Sequence, residues 1–245
     1  MRFLRILAVA GMLAGTAVAS AAAGAPRQAY MVAPSSTIKI DTSSLNYGGD
    51  VEVHVVGWDR PQVTLAQTVI RGDASVVKTS VDQAGQTLTV RVQLGTAGSQ
   101  AHGLFGWLHA FAGSYPKVNL EVHVPSRAHL SVLSLNGGTQ IENVAGPVSV
   151  DGTNGGILVT GGGPSLSIHT TNGAIHASLA SAAAPAIDIS TTNGGIKLNV
   201  PRGFHTRVRT ETTNGAVDNP FASANGAGSV KLSTTNGGIG VIQNS

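Results

Sequence analysis

A short motif, Thr-Asn-Gly, recurs along the second half of the chain and constrains the fold more than any other feature. A weaker Leu-Asn-Gly copy precedes the five full copies, and successive asparagines lie 18, 18, 21, 21 and 22 residues apart. The six asparagines are Asn136, Asn154, Asn172, Asn193, Asn214 and Asn236. A near-constant period of about 20 residues indicates a repeat architecture in which each copy is one structural unit.

The residues around each motif alternate between apolar and polar. In the copy at residues 187–200, Ile187 and Ile189 share one parity with Thr191, and the phase of the apolar residues shifts by one after Gly194 and Gly195. Period-two alternation is typical of strands with one buried face. The phase change at Asn-Gly indicates a corner with positive φ, which glycine adopts freely and asparagine more readily than most residues.

Two all-β architectures satisfy this pattern. The first is a parallel β-solenoid, similar to a right-handed β-helix, with coils of about 18–22 residues and Asn-Gly corners. The alternative is an antiparallel hairpin meander, in which Asn-Gly is a two-residue turn and Thr191 pairs with Ile196. Five near-identical corners favour the solenoid, because stacked corners contact each other and hairpin turns need only local agreement. Stacked asparagines would then form a structural ladder of side-chain hydrogen bonds.

The first 19 residues have the pattern of a secretory signal peptide. Arg2 and Arg5 precede an apolar run that ends in Ala17-Val18-Ala19, an A-x-A cleavage site. We expect cleavage after Ala19, with Ala23 as the second choice. No later apolar segment is long enough for a membrane span. The protein is therefore expected to be exported, to the periplasm, the cell surface or the medium.

The rest of the chain divides by composition. Residues 20–36 are rich in Ala, Pro and Ser and predict a flexible leader. Residues 37–123 predict irregular β-rich N-terminal coils or a β-rich cap, and residues 124–245 the regular repeat. An insertion at 102–115 breaks the strand pattern, with apolar residues at the spacing of one face of a short helix. Its large side chains are candidates for partner binding: Leu104, Phe105, Trp107, Phe111 and Tyr115.

The sequence contains few candidate groups for catalysis or metal binding. The chain has no cysteine, its histidines do not form a metal-binding motif, and no basic run suggests nucleic acid. We therefore expect no cofactor and no metal. A glycan-cleaving enzyme needs two carboxylates roughly 5–10 Å apart. Asp151 and Glu211 share an offset from their asparagines but belong to coils three repeats apart, so we expect a protein that is not an enzyme.

Four features together resemble a group of exported bacterial β-strand-repeat proteins of unknown function that are labelled putative adhesins. They are the signal peptide, Gly57-Trp58-Asp59-Arg60 followed by Val63, the Val124-Pro125 start, and serial Thr-Asn-Gly-Gly/Ala-Ile/Val. The likeness covers residues 37–245 and leaves the 102–115 insertion outside the pattern. The group carries no agreed catalytic residues, so the resemblance implies a binding role without assigning a site.

These observations predict an exported, non-catalytic scaffold that binds a cell-surface, glycan or envelope-protein partner. One alternative is a structural periplasmic protein that self-associates through its end coils. A glycan-active enzyme that uses Asp151 or Glu211 is the third hypothesis.

Overall fold

The computed structural model describes residues 17–20, 27–44, 49–94, 116–183 and 185–244. Over these ranges the protein is all-β, which confirms the predicted class, with a short 3-10 helix at Ala74–Val76 as the one helical element. The strands are β1 (Ala17–Ser20), β2 (Gln28–Met31), β3 (Thr37–Thr42), β4 (Asp50–Trp58), β5 (Gln62–Arg71), β6 (Val77–Ala84), β7 (Thr87–Leu94), β8 (Lys117–Pro125), β9 (His129–Asn136), β10 (Thr139–Glu142), β11 (Val148–Asn154), β12 (Ile157–Gly162), β13 (Ser165–Asn172), β14 (Ile175–Leu179), β15 (Ala186–Asn193), β16 (Ile196–Val200), β17 (Thr206–Asn214), β18 (Val217–Asp218), β19 (Gly226–Asn236) and β20 (Ile239–Gln243).

The strands form two ten-stranded sheets that each contain parallel and antiparallel pairs. Sheet A has the order β1-β6-β7-β3-β9-β11-β13-β15-β19-β17. Sheet B has the order β18-β20-β16-β14-β12-β10-β4-β8-β5-β2. Both sheets are open, with β1 and β17 at the edges of sheet A and β18 and β2 at those of sheet B.

In the repeat region the chain passes from one sheet to the other at every Asn-Gly corner. The strand before each corner belongs to sheet A and the strand after it to sheet B, from β9 through β20. The strand pairs formed among β9–β20 are parallel. The two strands that flank a corner therefore do not pair with each other, and the hairpin meander does not describe this region.

The hydrophobic core lies between the two sheets. Ile187 and Ile189 of β15 face Ile196 and Leu198 of β16, and all four side chains are at most 3% exposed. The phase shift at the corner produces this arrangement, because it turns the apolar set of each strand towards the opposite sheet. Burial of each such side chain contributes roughly 1.5–3 kcal/mol.

The last two repeats are not stacked in chain order, contrary to the simple succession that the sequence suggests. Strand β19 lies between β15 and β17, and β20 lies between β16 and β18. The apolar content of the inward face explains the exchange. The final repeat buries Leu232 and Val241 and takes an interior place, whereas β17 turns Thr210 and Thr212 inward and Val217 of β18 is exposed. A repeat with a weakly apolar face suits the end of a stack.

The earlier strands extend both sheets. Strand β3 joins sheet A beside β9, and β4 joins sheet B beside β10, both in parallel. Strand β8 lies between β4 and β5, parallel to the first and antiparallel to the second. Because β4, β8 and β10 are neighbours, outward-facing side chains that are far apart in sequence share one surface.

Candidate binding site

The six repeat asparagines lie in one row at the corners, where Asn154 and the four that follow are exposed and Asn136 is partly exposed. Five of the six asparagine amides donate to the side-chain oxygen of the neighbouring asparagine, always in the direction of Asn136. The bonds run from Asn154 to Asn136 (2.8 Å), Asn172 to Asn154 (2.9 Å), Asn193 to Asn172 (2.8 Å), Asn236 to Asn193 (2.8 Å) and Asn214 to Asn236 (2.9 Å). Their amides are thus used within the row, which favours a structural role.

The glycine after each asparagine lets neighbouring corners approach closely. A Cβ on Gly173 would lie 2.0 Å from the carbonyl oxygen of Gly155, far inside van der Waals contact. Buried threonines reinforce the same corners, since Thr191 Oγ1 donates to Gly173 O at 3.1 Å and Thr234 Oγ1 to Gly194 O at 2.9 Å. The Thr-Asn-Gly motif is therefore explained by contact between corners.

The sequence predicted two sets of functional residues, and the structure describes one of them. Leu104, Phe105, Trp107, Phe111 and Tyr115, with the whole 102–115 insertion, lie outside the described residues. Asp151 and Glu211 fall in one row of sheet A, through His169, Ser190 and Ser233. Four strand steps separate them, or about 19 Å at the usual strand spacing. That distance is too long for the carboxylate pair of a glycosidase.

An open groove of about 730 Å³ crosses the outer face of sheet B. Its lining comes from five parallel strands, β8, β4, β10, β12 and β14, and from β5 beside them. The polar lining includes Glu52, His54, Glu121, Gln140 and His176. Leu158 and Ala66 add apolar surface. Along the corners the lining residues Gly138, Gly156 and Ala174 have small side chains or none, so the groove wall is shallow on that side. The groove therefore combines hydrogen-bonding groups with small apolar patches on one face of sheet B.

Glu121 is a carboxylate of the groove with two charged or hydrogen-bonding partners. His123 Nε2 donates to Glu121 Oε1 at 2.7 Å, and Arg27 forms an ion pair with the same oxygen at 3.1 Å. The hydrogen bond from His123 lowers the pKa of Glu121 below its ordinary value, and the charge of Arg27 acts in the same direction. Glu121 is thus held ionised and suited to accept hydrogen bonds.

Several other polar groups along the groove have close partners. Lys117 Nζ lies 2.7 Å from Glu52 Oε1. His54 Nε2 lies 3.4 Å from Glu142 Oε1 but is shielded from solvent without a hydrogen bond. Gln140 Nε2 donates to Glu142 Oε1 at 2.5 Å.

Trp58 lies on the same outer face, beyond His123. Its ring centroid is 4.9 Å from that of His123, and the Arg60 guanidinium carbon lies 4.9 Å from the Trp58 centroid. Trp58 Nε1 also donates to Gln62 O at 2.9 Å. The ring is thus fixed between a histidine and an arginine, and it forms part of the polar face that continues from the groove.

The period-two alternation of the sequence places His54, His123 and His176 at outward-facing positions, where each would be a separate surface residue. Their parity was readable, as was that of Glu121. Their proximity in space was not, because β5, β6 and β7 separate β4 from β8 in sequence, and β6 and β7 belong to sheet A. Only the strand order brings these residues together.

Within the described ranges, no group of three His, Asp or Glu side chains is placed to hold a metal ion. Among the same residues, no helix is both long enough and apolar enough to cross a membrane.

The fold defines an all-β protein with two mixed sheets and a polar groove on one outer face. No protein-family model matches the chain, and no curated protein sequence matches it. A solved structure, described as a putative cell adhesion protein from Clostridium sporogenes, is similar over 89% of this chain and 99% of that chain. The sequence identity is 10% and the TM-score 0.44. At these values the similarity carries no argument about function.

Proposed function

We propose that this protein is an exported, non-catalytic β-repeat scaffold that binds a partner of the cell envelope or cell surface through the groove of sheet B. This is the activity expected of an adhesin or an envelope-binding protein. The observation that carries the proposal is the groove itself, in which polar side chains of distant strands converge on the outer face of sheet B.

We further propose that residues 124–245 form a two-sheet β-solenoid, in which each repeat adds one strand to each sheet. Three observations support this description: the alternation of the chain between the sheets, the parallel pairing of equivalent strands, and the Asn-to-Asn register. Repeats stacked in this way contact mainly their neighbours and provide extended binding surfaces.

The groove lining favours a glycan chain of the envelope as the ligand. Glycans present hydroxyl groups that donate and accept hydrogen bonds, together with apolar C–H faces. Glu121 and Gln140 supply acceptors, Asn119 and Gln140 supply amide donors, and Leu158 supplies apolar contact. The volume lies within the usual range for small-ligand sites, and its open form leaves room for a longer chain to continue.

A binding role fits the electrostatics of Glu121 better than glycan cleavage does. The acid of a glycosidase needs a raised pKa so that it is protonated when the bond breaks. The pKa of Glu121 is instead lowered, by its hydrogen bond from His123 first and by Arg27. An ionised carboxylate in this position can orient a ligand but cannot protonate a leaving group.

The test is co-sedimentation of the purified protein with isolated cell-wall glycan. We expect His176→Ala and Gln140→Ala to lower the bound fraction, because both side chains line the groove. His169→Ala is the matched control: it lies in the same repeat, on sheet A, where its ring bonds Ser190 at 2.6 Å. Equal binding by all variants would contradict the groove assignment.

A deletion of residues 102–115 distinguishes binding by the groove from binding by the apolar insertion. Loss of binding in the deletion, with normal binding by the groove variants, would place recognition in the insertion. Retained binding, with circular dichroism of a β-protein, would leave the groove as the binding surface.

A further inference from the structure

The two ends of sheet A are covered in different ways. At the β17 end, residues after β18 fold back on the edge: Val208 N–H donates to Phe221 O at 3.2 Å, and Asn219 Nδ2 donates to Val208 O at 2.9 Å. Phe221 also packs edge-on against buried Phe204, with centroids 5.1 Å apart. This cover is part of the folded repeat region, and it protects part of an edge that could otherwise pair with another chain.

At the opposite end, the cover is a segment that we expect export to remove. Strand β1 pairs antiparallel with β6, from Ala17 opposite Val81 to Ser20 opposite Lys78. Cleavage after Ala19 would remove three of the four β1 residues, and cleavage after Ala23 would remove all of them. In either case β6 becomes the edge of sheet A in the processed protein.

The sequence of β6 is complementary to itself in the antiparallel direction. Val77, Thr79 and Val81 are buried, so Lys78, Ser80 and Asp82 share the outer face. If two β6 strands pair with Ser80 opposite Ser80, Lys78 of each lies opposite Asp82 of the other. Among the described residues, neither Lys78 nor Asp82 forms an ion pair.

We propose that the processed protein forms a two-fold dimer in which β6 pairs antiparallel with β6 of a second copy, centred on Ser80. The inference rests on the export that we propose as part of the function. Two-fold pairing uses the same patch on both copies, and main-chain hydrogen bonds supply the contact, as in other cases of strand addition. In this dimer, sheet A of one copy and sheet A of the other become one continuous sheet.

A single cysteine tests the register directly, because the chain has no cysteine of its own. Directly opposite residues in an antiparallel pair have Cβ atoms about 4.5–5.5 Å apart, close enough for a disulfide after small adjustment. In processed Ser80→Cys, we expect mild oxidation to give a covalent dimer. Ser149→Cys is the control, half-buried on the outer face of central strand β11. Equal cross-linking of both variants, or of neither, would overturn the proposal.

Charge exchange tests the same contact without a covalent bond. Lys78→Glu turns two attractive pairs into two repulsive ones and should weaken the dimer about thirtyfold. The double variant with Asp82→Lys restores both pairs and should restore the dimer, as measured by size-exclusion chromatography with light scattering. If the double variant is as weak as the single one, although both fold by circular dichroism, the register is wrong.

The intact mass of the purified protein distinguishes the two proposals. A leader that remains attached contradicts the proposed export. A processed protein that stays monomeric at its highest soluble concentration contradicts only the β6 dimer.

Discussion

Replacing Gly173 with alanine tests whether neighbouring corners depend on direct backbone contact. The new Cβ would lie 2.0 Å from Gly155 O, whereas ordinary contact begins at 3.4 Å, so one corner must shift by about 1.4 Å. Gly173 lies outside the positive-φ residues, so the change adds a clash without backbone strain.

The expected cost follows from the hydrogen bonds that such a shift disrupts. Gly155 N–H donates to Asn172 O at 2.9 Å, Ile157 N–H to Ala174 O at 3.0 Å, and Asn172 Nδ2 to Asn154 Oδ1 at 2.9 Å. At a net contribution of roughly 1 kcal/mol each, their loss gives a destabilisation of about 3 kcal/mol. The assay is urea unfolding monitored by circular dichroism. An m-value equal to that of the native protein would show that the variant differs in stability and not in the surface exposed on unfolding.

Two other glycines provide matched controls. Gly240 has open space around its Cβ position, so Gly240→Ala should change the free energy of unfolding by less than about 0.5 kcal/mol. Gly203 is equally open but has φ of +77°, so Gly203→Ala isolates backbone strain at about 1 kcal/mol. If Gly173→Ala is as mild as Gly240→Ala, the argument from corner contact is refuted.

Three further predictions concern the ladder, the groove and the end of the stack. Asn193→Ala removes two ladder bonds and should cost about 1 kcal/mol in urea unfolding because the row is exposed, whereas Asn214→Ala removes one bond and should cost about half as much. Because Glu121 has a lowered pKa in the folded state, its contribution to stability is present above the carboxyl's ordinary pKa of 4.5 and is lost as pH falls through the folded value. The stability difference between the native protein and Glu121→Gln should therefore shrink as unfolding is measured at progressively lower pH; a constant difference would exclude this linkage. Phe221→Ala should cost about 2 kcal/mol through loss of packing on Phe204, and faster amide exchange at Val208 should show that the β17 edge has lost its cover.

The stacking order of the last two repeats, at the β17 end, could not be predicted from the local sequence. The copies at Asn214 and Asn236 have nearly the same motif, and the sequence alone favours stacking in chain order. The structure places Asn236 between Asn193 and Asn214, because the last repeat offers the more apolar inward face. The strand order at this end depends on which of the two repeats packs better against β15 and β16. A short sequence window does not contain that information.

The sequence by itself determined the all-β class, the inward and outward faces of the repeat strands, and the corners at Asn-Gly. The class and the faces depend on period-two alternation, which a few neighbouring residues show, and the repeated Asn-Gly marks the corners. Positive φ occurs at the corner glycines Gly137, Gly155, Gly194 and Gly237, whereas Gly173 is required by the close approach of the neighbouring corner. Tertiary structure decided which strands are neighbours, and through them the groove that brings Glu121, His54 and Gln140 to one surface. Many strands of this chain present similar Val- and Ile-rich inward faces, so pairing partners are selected by the packing of both sheets together.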